Sequence, residues 1–343
     1  MRADTAMLAG AVLVLSWALT FAARRLALAR GLIDVPNERS SHVVPTPRGG
    51  GVAIVIASFA AFVYLFATDA LDRRAFLALL GGVAVAAIGF VDDRRRIPAA
   101  VRLAVHFGAA VWALGWLGGL PPLPIGHTLW SSPLAGGVLG VLGIVWCTNF
   151  FNFMDGIDGL AATEGTFVTW AGAALYLQTH ATAGPAAGAL ALGAACAGFL
   201  LWNWPPARIF MGDVGSGYVG YAIAVLTLIA AREQPQSVFA WWTLGGVFFI
   251  DATVTLARRV WRGERAHQAH RSHAYQRLAQ RLASHGMMTT AVLLVNLLWL
   301  LPCAWLANTL PSAAALITGI ALTPLILVAI AAGAGRASPL TSQ

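Results

Sequence analysis

In the stretch NFFNFMDGIDGL, the residues Asn149, Asn152, Asp155 and Asp158 recur at every third position, with Gly156 and Gly159 among them. On a helix, side chains three apart share a face. Acids and amides at membrane depth are costly and suggest a site by default. Other acids stand in short polar motifs: Asp92 and Asp93 in VDDRRR, Asp213 in MGDVGS, Asp251 in FFIDATVTLARR. Carboxylates converging on one cavity repel unless a cation joins them. Carboxylate and amide oxygens are hard donors, suited to Mg²⁺ or Mn²⁺ rather than zinc. Mg²⁺ takes few protein oxygens and completes its shell with water and substrate phosphates, so the pattern points to phosphate chemistry. Arg48, Arg94 to Arg96 and Arg271, with His42, His270 and His273, supply positive charge. Arginine's planar fork matches phosphate. Gly49 to Gly51, Gly156, Gly159, Gly212 and Gly215 allow close backbone approach. No GxxxxGK[ST] loop is present.

These residues must be held by elements of an unusual composition. Of 343 residues, 58% are hydrophobic and 10% charged, with mean hydropathy +0.72. Soluble domains carry about 25% charged residues, so the expected solvent is lipid. Eleven apolar runs are long enough to suggest spans: 5–22, 51–68, 75–91, 100–118, 134–151, 160–178, 185–202, 214–231, 237–257, 287–307 and 312–332. The expected fold is therefore an all-α, polytopic membrane protein forming one domain over 1–343. The first run reads as a retained helix rather than a cleaved signal. Cys147, Cys196 and Cys303 lie in apolar runs without metal-like spacing and read as packing residues.

All 22 basic residues are arginine, and the net charge is +8. One set of alternate loops carries 18 of them; the other carries Arg2, Arg73, Arg74 and Arg232. The positive-inside rule puts the richer set in the cytoplasm, with the N-terminus outside and the C-terminus inside. A multi-pass protein of the inner (cytoplasmic) membrane is expected, its charge facing anionic headgroups and not nucleic acid. All the polar motifs fall on the inner face, whereas LPPLPIGHTLWSS and AREQPQS outside are bland.

Each motif alone has a plainer reading. DDRRR caps a span, GDVGS makes a turn, and HQAHRSHAYQRL could lie on anionic lipid. Asp251 could pair with Arg258 or Arg259, and His106 and His127 read as bystanders. NFFNFMDGIDGL has no such structural explanation, and the joint occurrence on one face favours a site.

In order along the chain, PNERSSHVVPTPRGGG, VDDRRR, NFFNFMDGIDGL, NWPPARIFMGDVGS, FFIDATVTLARR and HRSHAYQRL resemble the motifs of the polyprenyl-phosphate N-acetylhexosamine-1-phosphate transferases. The resemblance implies a UDP-N-acetylhexosamine donor, an undecaprenyl phosphate acceptor, UMP as leaving group and Mg²⁺, with a homodimer compatible. By motif, Asn152 and Asp213 would hold the metal. Asp92, as favoured base, and Asp93 would handle the lipid phosphate, with Asp213 and His273 also catalytic. Asp155, Gly156, Ile157 and Asp158 would line a uridine pocket, Phe210 stacking on the base. His42, Arg48, Asn149, Asn203, Gly212 and Arg271 would complete the substrate contacts. The chain lacks the triple histidine of the muramyl-pentapeptide enzyme, and its wording is closest to the O-antigen-initiating branch. That peptidoglycan activity is the alternative within the family. A lipid-linked sugar transporter is the alternative outside it, although acids gathered at one face without a repeat are unlike transporters.

Overall fold

The computed structural model describes residues 3–36, 44–95, 97–178, 184–264 and 271–336. His42, Arg96 and His270 lie outside the described residues. The chain is a helical bundle. Its helices are α1 (Ala3–Ala29), α2 (Gly51–Ala67), α3 (Arg73–Asp92), α4 (Ala99–Leu117), α5 (Pro133–Met154), α6 (Leu160–Leu177), α7 (Gly184–Asn203), α8 (Asp213–Glu233), α9 (Ser237–Leu244), α10 (Gly246–Trp261), α11 (Ala274–Leu282), α12 (His285–Val295), α13 (Leu301–Thr309) and α14 (Ala314–Ala332). Two small antiparallel ladders complete it: Ile33–Asp34 with Thr46–Pro47, and Leu123–Ile125 with Thr128–Trp130.

Every one of the eleven apolar runs falls on helix. Among the described residues, eight helical stretches are long and apolar enough to cross a membrane; one is α12 to α13, joined by a π-helical turn at Asn296–Leu300. The run 237–257 is not one straight span. It divides into α9 and α10, bent by 74° at Gly245, and makes nine if counted as a broken span. α2, with 17 residues, is a short apolar helix, and α6 carries Glu164 and three threonines among its apolar residues. The described residues support a multi-pass membrane protein.

α8 is the axis of the bundle. It is buried almost throughout and packs on α2, α3, α5, α7 and α9. Without a hydrophobic drive between helices in lipid, close packing of small residues is what joins them. A Cβ added at Gly89 of α3 would lie 2.5 Å from the Asp213 carbonyl oxygen, and one at Gly220 would lie 2.5 Å from the Cys147 carbonyl oxygen of α5. These contacts draw the C-terminal ends of α3 and α5 against the N-terminal end of α8. The acids of three distant motifs are thereby brought together. The three cysteines are free: Cys147 and Cys196 are buried, Cys303 partly so.

Candidate active site

The site is built where α3 ends and α8 begins. Residues 46–48 run extended beside the loop before α8, and Gly49 and Gly50 turn into α2. Phe210 donates its N–H to the Pro47 carbonyl at 2.8 Å, and Gly50 and Gly51 donate to the Phe210 and Met211 carbonyls, each at 2.9 Å. This zipper delivers Arg48 to the helix start. Its Nη2 lies 2.9 Å from Asp93 Oδ1 and 3.0 Å from Asp213 Oδ1. On the other side Arg102 of α4 places Nη1 2.5 Å from Asp92 Oδ2 and 2.8 Å from Asp213 Oδ2. Two guanidiniums thus bridge three carboxylates, with Asp213 shared between them.

The adjacent aspartates have separate tasks. Asp93 accepts the N–H groups of Asp213 at 2.9 Å and Val214 at 3.1 Å, capping α8 from another helix. A carboxylate there meets unsatisfied amides and the positive end of the helix dipole. Gly212 leaves room for it: φ is +76°, and an added Cβ would sit 2.6 Å from Asp93 Oδ2. Asp92 instead accepts the Ile97 N–H at 2.6 Å and faces Arg102. Burial alone would lower the Arg48 pKa, but Asp93 and Asp213 outweigh it and hold the guanidinium above its ordinary value. Asp155, just past α5, adjoins the same cluster. Burial pushes its carboxyl well above the usual range; Arg48 opposes that, and Asp213 and Asp93 add to it.

Two cavities flank this cluster. One, of about 580 Å³, is lined by Ile157, Asp158, Phe210, Arg271, Gln276 and His285, with Pro205 and Pro206. The other, of about 480 Å³, is lined by Arg102, His106, Asn149, Asn152, Asp213 and His273, with apolar Ile88, Leu103, Val145 and Leu256. The first is built from loops together with α11 and the start of α12, and mixes polar with apolar residues. The second lies between helices and mixes aliphatic and aromatic residues with those polar ones.

His273 is held by an acid that its own motif does not contain. Asp251 of α10 lies 3.2 Å from His273 Nδ1 and accepts the N–H groups of Ala274 at 2.9 Å and Tyr275 at 2.8 Å, capping α11. Asp251 therefore does not pair with Arg258 or Arg259, as its helix spacing allowed; Arg259 meets Glu264 at 2.8 Å. The caps available at α11 outcompete the local i,i+7 and i,i+8 options because they satisfy orphan amides as well as charge.

The structure brings Asn149, Asn152, Asp213 and His273 to the helix-walled cavity, and Ile157, Asp158, Phe210 and Arg271 to the loop-built one. Arg48, Asp92 and Asp93 form the cluster between. Gly156 packs on the Tyr275 hydroxyl, whose own partner is the Phe153 carbonyl at 3.1 Å. Asn203 is buried and lines neither cavity. It accepts the Gly159 N–H at 3.0 Å and donates to the Ile209 carbonyl at 2.9 Å, so it shapes the pocket through the two loops that carry Asp158 and Phe210. Sequence reasoning missed Arg102, His106 and His285. Arg102 and His106 stand on α4 at i and i+4, a spacing that signals one shared face. His106 is no bystander: its ring Nδ1 lies 3.3 Å from Asn149 Nδ2 and it lines the cavity.

The profile of glycosyl transferase family 4 matches residues 75–231, from α3 to α8, the stretch that contributes Asp92, Asp93, Asn152 and Asp213. The chain is 30% identical to a phospho-N-acetylmuramoyl-pentapeptide-transferase of Gluconacetobacter diazotrophicus, over 66% of this chain and 69% of that protein. The chain belongs to the polyprenyl-phosphate N-acetylhexosamine-1-phosphate transferase family. Within this transferase family it is also 26% identical to a probable undecaprenyl-phosphate N-acetylglucosaminyl 1-phosphate transferase of Bacillus subtilis, over 80% of this chain and 77% of that protein. It is 29% identical to a decaprenyl-phosphate N-acetylglucosaminephosphotransferase of Mycobacterium tuberculosis, over 83% and 77%. The transferase is thus a membrane enzyme whose motif residues surround two cavities.

Proposed function

We propose that the chain transfers a phospho-N-acetylhexosamine from a UDP-amino sugar to undecaprenyl phosphate and releases UMP. The observation that carries this reading is the cluster of Asp92, Asp93 and Asp213 under Arg48 and Arg102, beside a cavity built mainly from loops and one built between helices. The loop-built cavity suits the nucleotide, with Phe210 to stack on the base and Arg271 beside it. The helix-walled cavity, with Arg102 and His273 beside Ile88, Leu103 and Leu256, suits the phosphate end of a lipid that arrives from between helices. The arginine distribution supports a site on the cytoplasmic face of the inner membrane, N-terminus outside. The Bacillus subtilis and Mycobacterium tuberculosis relatives favour N-acetylglucosamine as the sugar; initiation of an O-antigen-like polysaccharide is the pathway reading of the motif wording.

The donor set fits a hard cation. Asp213 offers carboxylate oxygens, and Asn152, whose Nδ2 donates to Ser216 Oγ at 3.0 Å, offers its amide oxygen to the same cavity. Among the described residues no three His, Cys, Asp or Glu side chains are set to chelate an ion. Two protein oxygens completed by a pyrophosphate match the habit of Mg²⁺, with Mn²⁺ the alternative. Bound there, the cation would neutralise the pyrophosphate and improve UMP as a leaving group.

The chain's own residues do the rest by position and charge, as phosphoryl transfer requires little covalent work. Arg48 and Arg102 are the cations that would move from carboxylate to substrate phosphate. Asp92 is the favoured base, relieving the lipid phosphate of its last proton for direct attack. His273, fixed by Asp251, faces the same cavity and is placed to bind a phosphate oxygen. The Arg102 contact favours a second reading of Asp92, as an orienting group. Purified protein given a panel of UDP-sugars with undecaprenyl phosphate should release UMP only with both substrates. No release with any UDP-N-acetylhexosamine would overturn the proposal, and release confined to the muramyl-pentapeptide nucleotide would move the chain to the peptidoglycan activity.

A further inference from the structure

His106 stands one turn beyond Arg102 on α4, buried against the helix-walled cavity that both residues line. Asn149 of α5 reaches its ring. The Asn149 Nδ2 donates to the Val145 carbonyl at 2.7 Å, and the same nitrogen lies 3.3 Å from His106 Nδ1. A backbone carbonyl only accepts, so the Val145 bond fixes which end of the Asn149 amide is the nitrogen. That NH₂ group has two protons to give and offers no acceptor. Its second proton goes to His106, and Nδ1 is the acceptor.

The other ring nitrogen follows from this. In a neutral imidazole one nitrogen accepts and the other carries the proton, so Nε2 is the donor. Among the described residues the ring's hydrogen-bond partner is Asn149, through Nδ1, which leaves Nε2–H for a ligand. Arg102 is differently placed. Its Nη1 is already engaged by Asp92 and Asp213, so a phosphate must compete with carboxylates for it. The His106 N–H has no carboxylate to leave. Side chains four apart share one helix face, so both can address a single phosphate, and a bond from N–H to an anionic oxygen is charge-assisted.

We infer that His106, held by Asn149 in the tautomer protonated at Nε2, donates a hydrogen bond to a phosphate oxygen of the lipid acceptor. The inference rests on the proposed acceptor reading of that cavity. It assigns the contact to a histidine outside every motif that marks the site in the sequence. Asn149 becomes the positioning residue.

UMP release by the purified protein, with UDP-N-acetylglucosamine and undecaprenyl phosphate varied in turn, tests it. His106→Ala should raise the acceptor KM by about tenfold or more, the loss of one hydrogen bond to a charged group, and leave the donor KM in place. His106→Gln carries an amide out to the Nε2 position and should restore much of the acceptor affinity; His106→Asn stops at the Nδ1 position and should not. Asn149→Leu frees the ring to exchange tautomers and should raise the acceptor KM by a smaller factor. The ¹⁵N resonances of histidine-labelled protein read the tautomer without turnover. The signal lost in His106→Gln should be that of a ring protonated at Nε2, and undecaprenyl phosphate should shift it. A proton on Nδ1 overturns the inference while leaving the acceptor reading intact. So does an acceptor KM equal to wild type in both the Ala and Asn variants with melting in detergent lowered, the mark of a contact that only joins α4 to α5. A wild-type protein whose histidine signals and UMP release both ignore undecaprenyl phosphate overturns the acceptor reading, and this inference with it. Should His106→Ala fail to fold, the Gln and Asn pair decides the matter, since both fill the space and only one reaches the Nε2 position.

Discussion

The two cavities beside the carboxylate cluster are made of different things. The loop-built cavity is assembled from residues 44–46, 157–158, 205–210 and 271–286, the last including α11, and its polar groups have fixed directions because loops and caps tie them. The helix-walled cavity is assembled from faces of α3, α4, α5, α8 and α10, with Ile88, Leu103, Val145 and Leu256 set among its polar residues. A water-soluble nucleotide has edges to read, so its cavity needs groups that cannot turn. A lipid phosphate has one charged end and a tail that lipid itself can solvate, so its cavity needs charge at one end and apolar walls elsewhere. Asp213 touches both sides through Arg48 and Arg102, which makes it the hinge of the comparison.

The largest effect should come from that shared residue. Asp213→Asn keeps the shape but removes the charge that holds two guanidiniums and would hold the cation. UMP release should fall by about 10³-fold or more while melting in detergent changes little. Near-normal turnover at millimolar Mg²⁺ would break the account on both sides at once.

On the proposed reading, Asp92 serves the lipid side, through Arg102. If it is the base, Asp92→Asn should lower turnover by about 10²–10⁴-fold with UDP-sugar affinity unchanged. The sign with pH is fixed by the acceptor: the last proton of a phosphomonoester leaves near about pH 6, so the variant's deficit should shrink from pH 6 to 9. A deficit constant over that range would make Asp92 an orienting group, the reading its Arg102 contact favours.

Smaller effects should separate the cavities. Arg102→Ala should raise the KM for undecaprenyl phosphate by about tenfold or more and move the donor KM much less, since a guanidinium–phosphate contact is lost. Phe210→Ala should do the reverse, raising the donor KM by about tenfold for the lost base stacking. Variants that move both constants together would mean that the cavities are one.

Much of this was legible in the sequence. The helices were, because lipid demands long apolar runs whatever the fold. The acids were, because Asp155, Asp158 and Asp213 interrupt such runs without a structural excuse. What was not legible depended on contacts across the bundle. Asp251 was open to pairing with its own helix's arginines, and only the arrival of α11 beside α10 gives it the Ala274 and Tyr275 amides. Arg102 counted as one more inner-face arginine until α4 packed on α3 and turned it to Asp92 and Asp213. The break at Gly245 hid inside an uninterrupted apolar run, since a bend between two apolar helices leaves the hydropathy unchanged. Asn203 was visible as a polar residue at a helix end, but its work on the Gly159 and Ile209 backbone was not.

The central claim is that phosphorus, and not only sugar, crosses from one cavity to the other. A UDP-N-acetylglucosamine labelled with ³²P at the β-phosphate follows it directly. Incubated with undecaprenyl phosphate and the purified protein, the label should pass into the lipid phase together with the sugar, while unlabelled UMP appears in the aqueous phase. Label remaining in water as UDP, with sugar alone on the lipid, would contradict the account.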